Sequence, residues 1–283
     1  MKLNDKVAIV TAAGRGIGRG IALRLAEAGA LLVVNSYTEE TTAETVRQIK
    51  QAGGKASQVV GDITNPDKML ELRDHALSQY GQIDILVNNV GAGPKQAVAP
   101  EQHELGPITA VWNALYAQNL LPVVQMTEAV LPSMRQRREG KIVIISSIAG
   151  RTSLSDKMLN HFVHPSYGAM KAALINYTQT LAELAGPDNI NANAVCPGIV
   201  YTDAWKSNAG KAVNTIDEFR GQQADEWFAG IARGDYPHIF DRTPLQRPQT
   251  VEDIGNAVLF LVSENAINIT GQSLMVDGDM VKI

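Results

Sequence analysis

A tyrosine and a lysine four residues apart are the clearest chemical feature of the sequence. Tyr167 and Lys171 lie in a segment whose pattern predicts a helix beginning near Pro165, and this spacing places both side chains on one helix face. A nearby ammonium group favours the phenolate, so we expect Lys171 to lower the pKa of the Tyr167 phenol from about 10. Such a phenol can exchange a proton with the oxygen of an alcohol or a carbonyl group.

Short polar pairs follow two of the apolar runs that precede this helix. Ser146 and Ser147 come directly after the run Lys141–Ile145, whose continuous apolar character predicts a strand covered on both faces. Asn88 and Asn89 follow an earlier run of the same kind. Ligands of open α/β sheets bind outside the carboxyl ends of the strands. These pairs therefore predict the edge of a site beside the tyrosine and the lysine.

A glycine-rich turn lies between the first predicted strand and the first predicted helix. Gly14, Gly16 and Gly18 fall within this turn. Glycines there let the backbone approach a pyrophosphate, and the start of a helix offers N–H donors and the positive end of its dipole. Glycine spacing by itself indicates only a tight turn, but the strand before it and the helix after it favour a dinucleotide site.

Short apolar runs alternate with helical patterns along the chain. This alternation predicts an α/β fold, a single-domain doubly wound (Rossmann-type) parallel sheet of about seven strands flanked by helices, over residues 1–283. Thr38 and Asn65 are each predicted to cap the start of a helix. Residues 203–245 are long for a connection and rich in aromatic residues, which predicts a substrate lid. The segments predicted to be strands are Val7–Thr11, Leu31–Asn35, Gln58–Val60, Ile83–Val87, Lys141–Ile145, Asn191–Val195 and Ser273–Val276.

Composition argues against several classes of protein. The chain has 283 residues, of which 45% are hydrophobic and 19% charged, and its net charge of −4 indicates neither a nucleic-acid partner nor an acidic-membrane partner. Cys196 is the only cysteine, so an internal disulfide is impossible and a reducing compartment is expected. The sequence has neither the features of a signal peptide nor an apolar run long enough to cross a bilayer, so we expect a cytoplasmic location. No His, Cys and carboxylate cluster has ligand spacing, and no metal site is predicted.

Six short elements together resemble those of the short-chain dehydrogenase/reductase family, particularly its 3-ketoacyl-reductase-like members. Their order and approximate spacing match the family, and the resemblance covers nearly the whole chain. It implies an NAD(P)-dependent oxidoreductase that transfers a hydride between a nicotinamide cofactor and a small alcohol or carbonyl substrate. In chain order the elements are Thr11–Gly18, Asn88–Gly91, Asn119, Ser147, Tyr167–Lys171 and the segment 197–202.

The resemblance also implies roles for individual residues. Tyr167 is expected to act as general acid or base, Lys171 to bind the nicotinamide ribose and Ser147 to hold the substrate oxygen. Asn119 is expected to anchor a water molecule that relays protons from Lys171. The residues expected to bind the cofactor are Thr11, Gly14, Arg15, Gly16, Ile17, Gly18, Ser36, Asp62, Ile63, Asn89, Gly91, Tyr167, Lys171, Pro197, Gly198, Ile199 and Thr202.

The sequence departs from the family pattern at several points. Ala12 stands where the first glycine of the loop is usual, so the turn must tolerate a methyl group. Pro122 lies one turn beyond Asn119 and is expected to kink that helix and free a carbonyl group. The stretch between Ser147 and Tyr167 is longer than usual, which leaves the local substrate geometry open.

The end of the second predicted strand favours NADP(H), while NAD(H) stays possible. Ser36 occupies the position where NAD-selective enzymes usually carry an acidic residue, and its hydroxyl can donate to a 2′-phosphate. Arg15 can reach the same phosphate through a charge-assisted contact, whereas Glu39 and Glu40 weaken the local positive potential. Two other functions stay open, a non-catalytic dinucleotide-binding protein and a lyase or dehalogenase on the same fold.

Two predicted helices indicate self-association. The segments Leu120–Met134 and Ala172–Leu184 carry apolar residues on more than one face. In the resembling family these two helices commonly pair across a two-fold axis, so a homo-oligomer is expected, either a tetramer or a dimer.

Overall fold

The fold is built on a parallel sheet of seven strands. The computed structural model describes residues 1–91, 104–237, 240 and 243–282. Across the sheet the strand order is β3-β2-β1-β4-β5-β6-β7, and each neighbouring pair is parallel. The predicted doubly wound α/β fold is therefore confirmed. The strands are β1 (Val7–Val10), β2 (Leu31–Ser36), β3 (Lys55–Val60), β4 (Ile85–Asn88), β5 (Gly140–Ile145), β6 (Ile190–Pro197) and β7 (Ser273–Val276).

Helices connect the strands and cover both faces of the sheet. Because β1 lies between β2 and β4, strand order reverses there, and the carboxyl ends of β1 and β4 border the crevice where such sheets bind ligands. Within the described residues, no helix combines the length and apolar character needed to cross a membrane. The helices are α1 (Gly16–Glu27), α2 (Glu39–Gln51), α3 (Pro66–Tyr80), α4 (Gly106–Asn119), α5 (Leu121–Arg137), α6 (Asp156–His161), α7 (Pro165–Ala185), α8 (Asp203–Thr215), α9 (Ala224–Arg233) and α10 (Val251–Val262).

Two apolar clusters sandwich the sheet. In β1, Ala8 and Val10 belong to one cluster, whereas Val7 and Ile9 belong to the other. Successive side chains of a strand point to opposite faces, and all four residues are buried. This arrangement explains why the strands read as continuous apolar runs instead of alternating ones.

Of the two predicted helix caps, one is formed by its side chain and the other is not. The Asn65 side chain accepts a hydrogen bond from the backbone N–H of Asp67 over 2.9 Å, so it caps α3 as predicted. Thr38 occupies the cap position of α2, but its side chain accepts no hydrogen bond from a backbone N–H of that helix. Its hydroxyl is instead hydrogen-bonded to the Thr41 hydroxyl over 2.8 Å. The third strand begins at Lys55, three residues before its predicted start, because pairing with β2 extends over these polar residues.

A third apolar cluster forms under the segment 203–245. Phe219 and Trp227 have no exposed surface and pack edge to face, with their ring centres 5.4 Å apart. Phe162 joins them from the stretch before α7, with its ring centre 5.9 Å from that of Trp227. The segment contains α8 and α9, so its length reflects two helices with their own aromatic core.

Candidate active site

Tyr167 and Lys171 lie on the first two turns of α7, which packs against β6. The Nζ atom of Lys171 is 5.6 Å from the centre of the Tyr167 ring. It donates a hydrogen bond of 3.0 Å to the carbonyl oxygen of Ile145, the last residue of β5. Only 3% of the Lys171 surface is exposed. The predicted helix near Pro165 and the shared face are confirmed.

Burial governs the proton affinity of both groups. Removal from water disfavours the ammonium ion and lowers the pKa of Lys171 to about 8. It also disfavours the phenolate and raises the pKa of Tyr167, although a hydrogen bond with Ser147 acts in the opposite direction. The structure therefore differs from the expectation that Lys171 lowers the pKa of Tyr167, because desolvation of the phenol is the larger effect.

Ser147 is held at the carboxyl end of β5 by the turn that follows it. Its Oγ accepts a hydrogen bond of 3.2 Å from the backbone N–H of Ala149. Two glycines bring α7 onto this turn. A Cβ atom on Gly168 would lie 2.8 Å from the carbonyl oxygen of Ala149, and one on Gly150 would lie 2.6 Å from the backbone of Lys171. These close approaches place Tyr167 against Ser147.

Asn119 ends α4 at a break in the helical path. The helix α5 begins only two residues later and contains Pro122 in its first turn, which fits the predicted kink because proline has no N–H to continue the preceding helix. Asn119 is fully buried, and its Nδ2 donates to the carbonyl oxygen of Leu115 over 3.1 Å. A Cβ atom on Gly91 would lie 2.7 Å from Asn119 Oδ1 and 3.0 Å from Lys171 Nζ. The bare backbone at Gly91 thus borders both side chains.

The glycine loop forms a close-packed cradle at the start of α1. A Cβ atom on Gly18 would lie 2.4 Å from the Asn89 side chain, and one on Gly14 would lie 2.4 Å from Ser36 Oγ. Gly16 has a φ of +54°, in the left-handed region that favours glycine. Ala12 has a φ of +51°, so the methyl group of this residue is tolerated at the cost of a strained backbone.

Two adjoining cavities lie along the carboxyl ends of the strands. The first, of about 350 Å³, is bordered by Ser147, Tyr167 and Lys171, and the second, of about 280 Å³, lies over the glycine loop. The walls have five residues in common, Ile17, Asn89, Gly91, Thr202 and Ala204. We call the first the catalytic cavity and the second the cofactor cavity.

Most of the residues predicted from the sequence line one of these cavities. Three do not and have supporting positions instead. Thr11 Oγ1 accepts a hydrogen bond of 3.0 Å from the backbone N–H of Asn89, which joins the ends of β1 and β4. Gly14 packs against Ser36, and Asn119 lies behind Gly91. The predicted residues in the walls are Arg15, Gly16, Ile17, Gly18, Ser36, Asp62, Ile63, Asn89, Gly91, Ser147, Tyr167, Lys171, Pro197, Gly198, Ile199 and Thr202.

An apolar wall, built from the stretch before α7 and from α8, lines part of the catalytic cavity. It was not predicted residue by residue, because its members come from the two segments that fit no family element. The greater length of the stretch between Ser147 and Tyr167 was the signal that could have identified it. Its side chains are those of Leu154, Met158, Phe162, Val163, Ala204 and Trp205.

The far end of the cofactor cavity carries a cation and a hydroxyl group. Arg15 is exposed in its wall at the start of α1, and Ser36 is buried at the end of β2. The carboxylate of Glu39 accepts a hydrogen bond of 3.3 Å from Gln58 Nε2 on β3, and neither Glu39 nor Glu40 lines the cavity. Across the described part of the chain, no three His, Cys, Asp or Glu side chains are grouped so that they could hold a metal ion.

Comparison with known proteins gives relatives over the whole chain. The short chain dehydrogenase family matches residues 6–212, and a second family, described as enoyl-(acyl carrier protein) reductase, matches residues 229–280. The chain is 32% identical over 283 residues to 7alpha-hydroxysteroid dehydrogenase of Escherichia coli K12, covering 100% of this chain and 96% of the relative. It is 30% identical to the 3-oxoacyl-[acyl-carrier-protein] reductase FabG of Thermotoga maritima, covering 99% of this chain and all of the relative.

Solved structures give the same result. A 7 alpha-hydroxysteroid dehydrogenase complexed with NADH and 7-oxo glycochenodeoxycholic acid superposes with a TM-score of 0.79 at 32% identity, covering 100% of this chain and 96% of that one. The L-sorbose reductase of Gluconobacter frateurii, complexed with NADPH and L-sorbose, superposes with a TM-score of 0.84 at 27% identity, covering 100% and 99% of the two chains. With the family matched over residues 6–212 and the whole fold shared, this chain belongs to the short-chain dehydrogenase/reductase family of oxidoreductases.

Proposed function

We propose that this protein interconverts small alcohols and carbonyl compounds with NADP(H) as its favoured cofactor. The observation that carries the proposal is the meeting of Ser147, Tyr167 and Lys171 in the catalytic cavity, which shares five wall residues with the cavity over the glycine loop. A protein that only bound a dinucleotide would not need these three side chains together.

The walls of the two cavities fit an extended dinucleotide. Gly16 and Gly18 line the cofactor cavity without a side chain, so the main chain at the start of α1 can meet a pyrophosphate there. Lys171 and Asn89 would hold the nicotinamide end, near the five shared residues. When bound, the nicotinamide supplies or accepts the hydride.

Tyr167 and Ser147 are assigned the proton transfer and the orientation of the substrate oxygen. The raised pKa of Tyr167 keeps its phenol protonated near neutral pH in the free protein, as a proton donor to a carbonyl oxygen must be. Ser147 would donate to the same oxygen and fix its position beside the phenol. Asn119 and Lys171, which both border Gly91, would pass a proton onward through water.

The preference for NADP(H) is argued from Arg15 and Ser36. Both line the cofactor cavity, and the carboxylate of Glu39 is engaged by Gln58 on β3. A guanidinium group and a hydroxyl can both donate to a 2′-phosphate, and the guanidinium contact is charge-assisted. The related solved structures hold NADH in one case and NADPH in the other, so the proposed preference rests on Arg15 and Ser36 and not on the relatives.

The segment 203–245 is proposed to be a lid over the substrate, and the protein is proposed to be a homo-oligomer. The lid contributes Trp205 and Asn208 to the catalytic cavity. For the oligomer, the structure adds a stripe on α4 formed by Ile108, Trp112 and Tyr116, which are 55%, 38% and 43% exposed. The helix α4 packs on α7, one of the two helices expected to pair with a second copy. The cytoplasmic location stays a prediction.

The function is tested by turnover of the purified protein with NADPH or NADH and a panel of ketones. In wild type we expect reduction of at least some of these ketones. Tyr167→Phe should lower kcat by about 100-fold or more because the proton donor is lost, with cofactor affinity nearly unchanged. Tyr177→Phe is the matched control, since Tyr177 lies on the same helix but lines neither cavity. Turnover by the Tyr167 variant within a few-fold of wild type would contradict the proposed role.

A further inference from the structure

His164 stands at the start of the catalytic helix and in the wall of the catalytic cavity. It is the residue before Pro165, three positions before Tyr167, and its carbonyl oxygen accepts a hydrogen bond of 2.9 Å from the Tyr167 backbone N–H. No family element includes this position. The ring therefore shares a cavity with the phenol, and the proposed function leaves it without a role.

The hydrogen bonds of His164 fix which ring nitrogen carries the proton. Nδ1 accepts a hydrogen bond of 3.2 Å from the backbone N–H of Ser166 and lies 2.6 Å from Ser166 Oγ. Because a backbone N–H can only donate, Nδ1 must be an acceptor and carries no proton. The neutral imidazole then has its proton on Nε2. The ring caps α7 through one nitrogen and presents a donor on the other.

His164 lines the catalytic cavity, where the described side chains of the stretch 154–163 and of α8 include few polar groups. Among the described residues, Nε2 has no hydrogen-bond partner. Among the side chains that the structure describes, those that the stretch 154–163 and α8 add to the wall are apolar apart from Asn208, and Phe162 and Trp205 are in ring contact at 5.9 Å. A few polar groups on an otherwise apolar wall are what orient a ligand in such a cavity.

The capping role alone does not explain why residue 164 is a histidine. Asn, Asp, Ser and Thr are the preferred cap residues, and each supplies the acceptor with a smaller side chain. Histidine at this position adds the Nε2–H group to a residue that lines the cavity. The added donor is thus the property that capping leaves unexplained.

We propose that His164 determines substrate specificity by donating a hydrogen bond from Nε2 to a second oxygen atom of the substrate. The inference rests on the proposed carbonyl reduction, because the first oxygen is the one held by Ser147 and Tyr167. Because His164 and Tyr167 are close in sequence and line the same cavity of about 350 Å³, we place the second oxygen on a carbon next to the carbonyl carbon or one further away. The substrate class is a compact, mainly apolar hydroxy ketone or diketone.

The test compares two ketones that differ by one oxygen, 2-hydroxycyclohexanone and cyclohexanone, with NADPH as the cofactor. His164→Asn keeps an acceptor for the Ser166 N–H but removes the Nε2 donor. We expect kcat/KM for 2-hydroxycyclohexanone to fall by about three- to tenfold, mainly through KM, because one neutral hydrogen bond is lost. With cyclohexanone, which lacks the second oxygen, kcat/KM should fall by clearly less than with 2-hydroxycyclohexanone, and the melting temperature should stay close to that of wild type. His164→Ala should show the same kinetic change and a lower melting temperature, because it also removes the cap.

An equal effect of His164→Asn on both ketones, or no effect on either, would overturn the inference. So would a wild-type enzyme that reduces neither ketone, even if turnover of other carbonyl compounds supports the proposed function. A measurement independent of activity is the ¹⁵N spectrum of histidine-labelled protein, with His164→Asn used for assignment. We expect the His164 signal of the Nε2–H tautomer. The Nδ1–H tautomer would refute the inference and leave the proposed function standing.

Discussion

Replacing Lys171 by methionine should stabilise the free protein at neutral pH. Lys171 is buried, and its pKa falls from an ordinary value near 10.5 to about 8. Below pH 8 both the folded and the unfolded chain bind this proton, so the folded state bears the full cost of a buried cation. Between pH 8 and 10.5 the unfolded chain keeps the proton that the folded chain has lost, and stability rises with pH.

The size of the effect follows from the displacement of the pKa. A pKa displacement of one unit corresponds to about 1.4 kcal/mol, so burial of the charged lysine lowers the free energy of unfolding by about 3 kcal/mol below pH 8. Methionine has a similar length and no charge, but it cannot donate to the Ile145 carbonyl oxygen, which removes about 1 kcal/mol. We therefore expect Lys171→Met to raise the free energy of unfolding by about 2 kcal/mol at pH 7. Above pH 10.5 only the lost hydrogen bond should remain, and the variant should be the less stable protein.

Urea unfolding at pH 7, 8, 9 and 10, without added cofactor, measures this difference. Lys50→Met is the control, because Lys50 is exposed on α2 and unfolding changes its surroundings little. That variant shows the effect of the same substitution at an exposed site. A Lys171 variant less stable than wild type at pH 7, or a stability difference that does not change with pH, would refute the reasoning.

Four further predictions concern the loop, the cofactor, the lid and the assembly. Ala12→Gly should stabilise the protein by about 1 kcal/mol, because glycine adopts the left-handed backbone conformation of residue 12 without strain. The control, Ala172→Gly on the exposed face of α7, should destabilise the protein by about 0.5–1 kcal/mol. A destabilised Ala12→Gly variant would contradict the strain argument. Arg15→Ala should reduce kcat/KM with NADPH by about 10- to 100-fold and leave NADH nearly unaffected, and a wild-type preference for NADH would show the phosphate contact to be wrong. Hydrogen exchange in residues 203–245 should slow when cofactor and ketone bind together, and unchanged exchange would exclude a lid. Light scattering should give the molar mass of a dimer or tetramer for wild type and a lower average mass for Trp112→Glu. A monomeric mass for wild type would rule out assembly.

The positions of the proposed catalytic side chains could be predicted from the sequence because they depend on local rules. A four-residue helical spacing fixed the relation of Tyr167 to Lys171, and a strand end fixed the place of Ser147. Parallel strands bring such ends to one edge of the sheet, so residues far apart in the chain could be assigned to one site. The kink beyond Asn119 was predictable for a similar reason, since proline acts on its own helix.

Properties that depend on packing could not be predicted in the same way. The pKa of Tyr167 rises because the folded chain removes the phenol from water, and spacing along a helix carries no information about burial. The apolar wall of the catalytic cavity is likewise assembled from distant segments, since Phe162 and Trp205 meet only after α8 has folded back. The Thr38 side chain does not cap α2, because its hydroxyl is hydrogen-bonded to the Thr41 hydroxyl.

The third apolar cluster has a consequence for how this enzyme can change over evolutionary time. Phe219 and Trp227 anchor the wall of the cavity in a small core separate from the two clusters that enclose the sheet. Mutations there can remodel the shape of the binding end while α7 and its proton-transfer residues keep their support. The residues that bind the substrate can therefore change while the residues proposed to carry out the reaction stay the same. Exchanging residues 152–163 and 203–245 together, as one unit, is the way to transplant substrate preference between relatives.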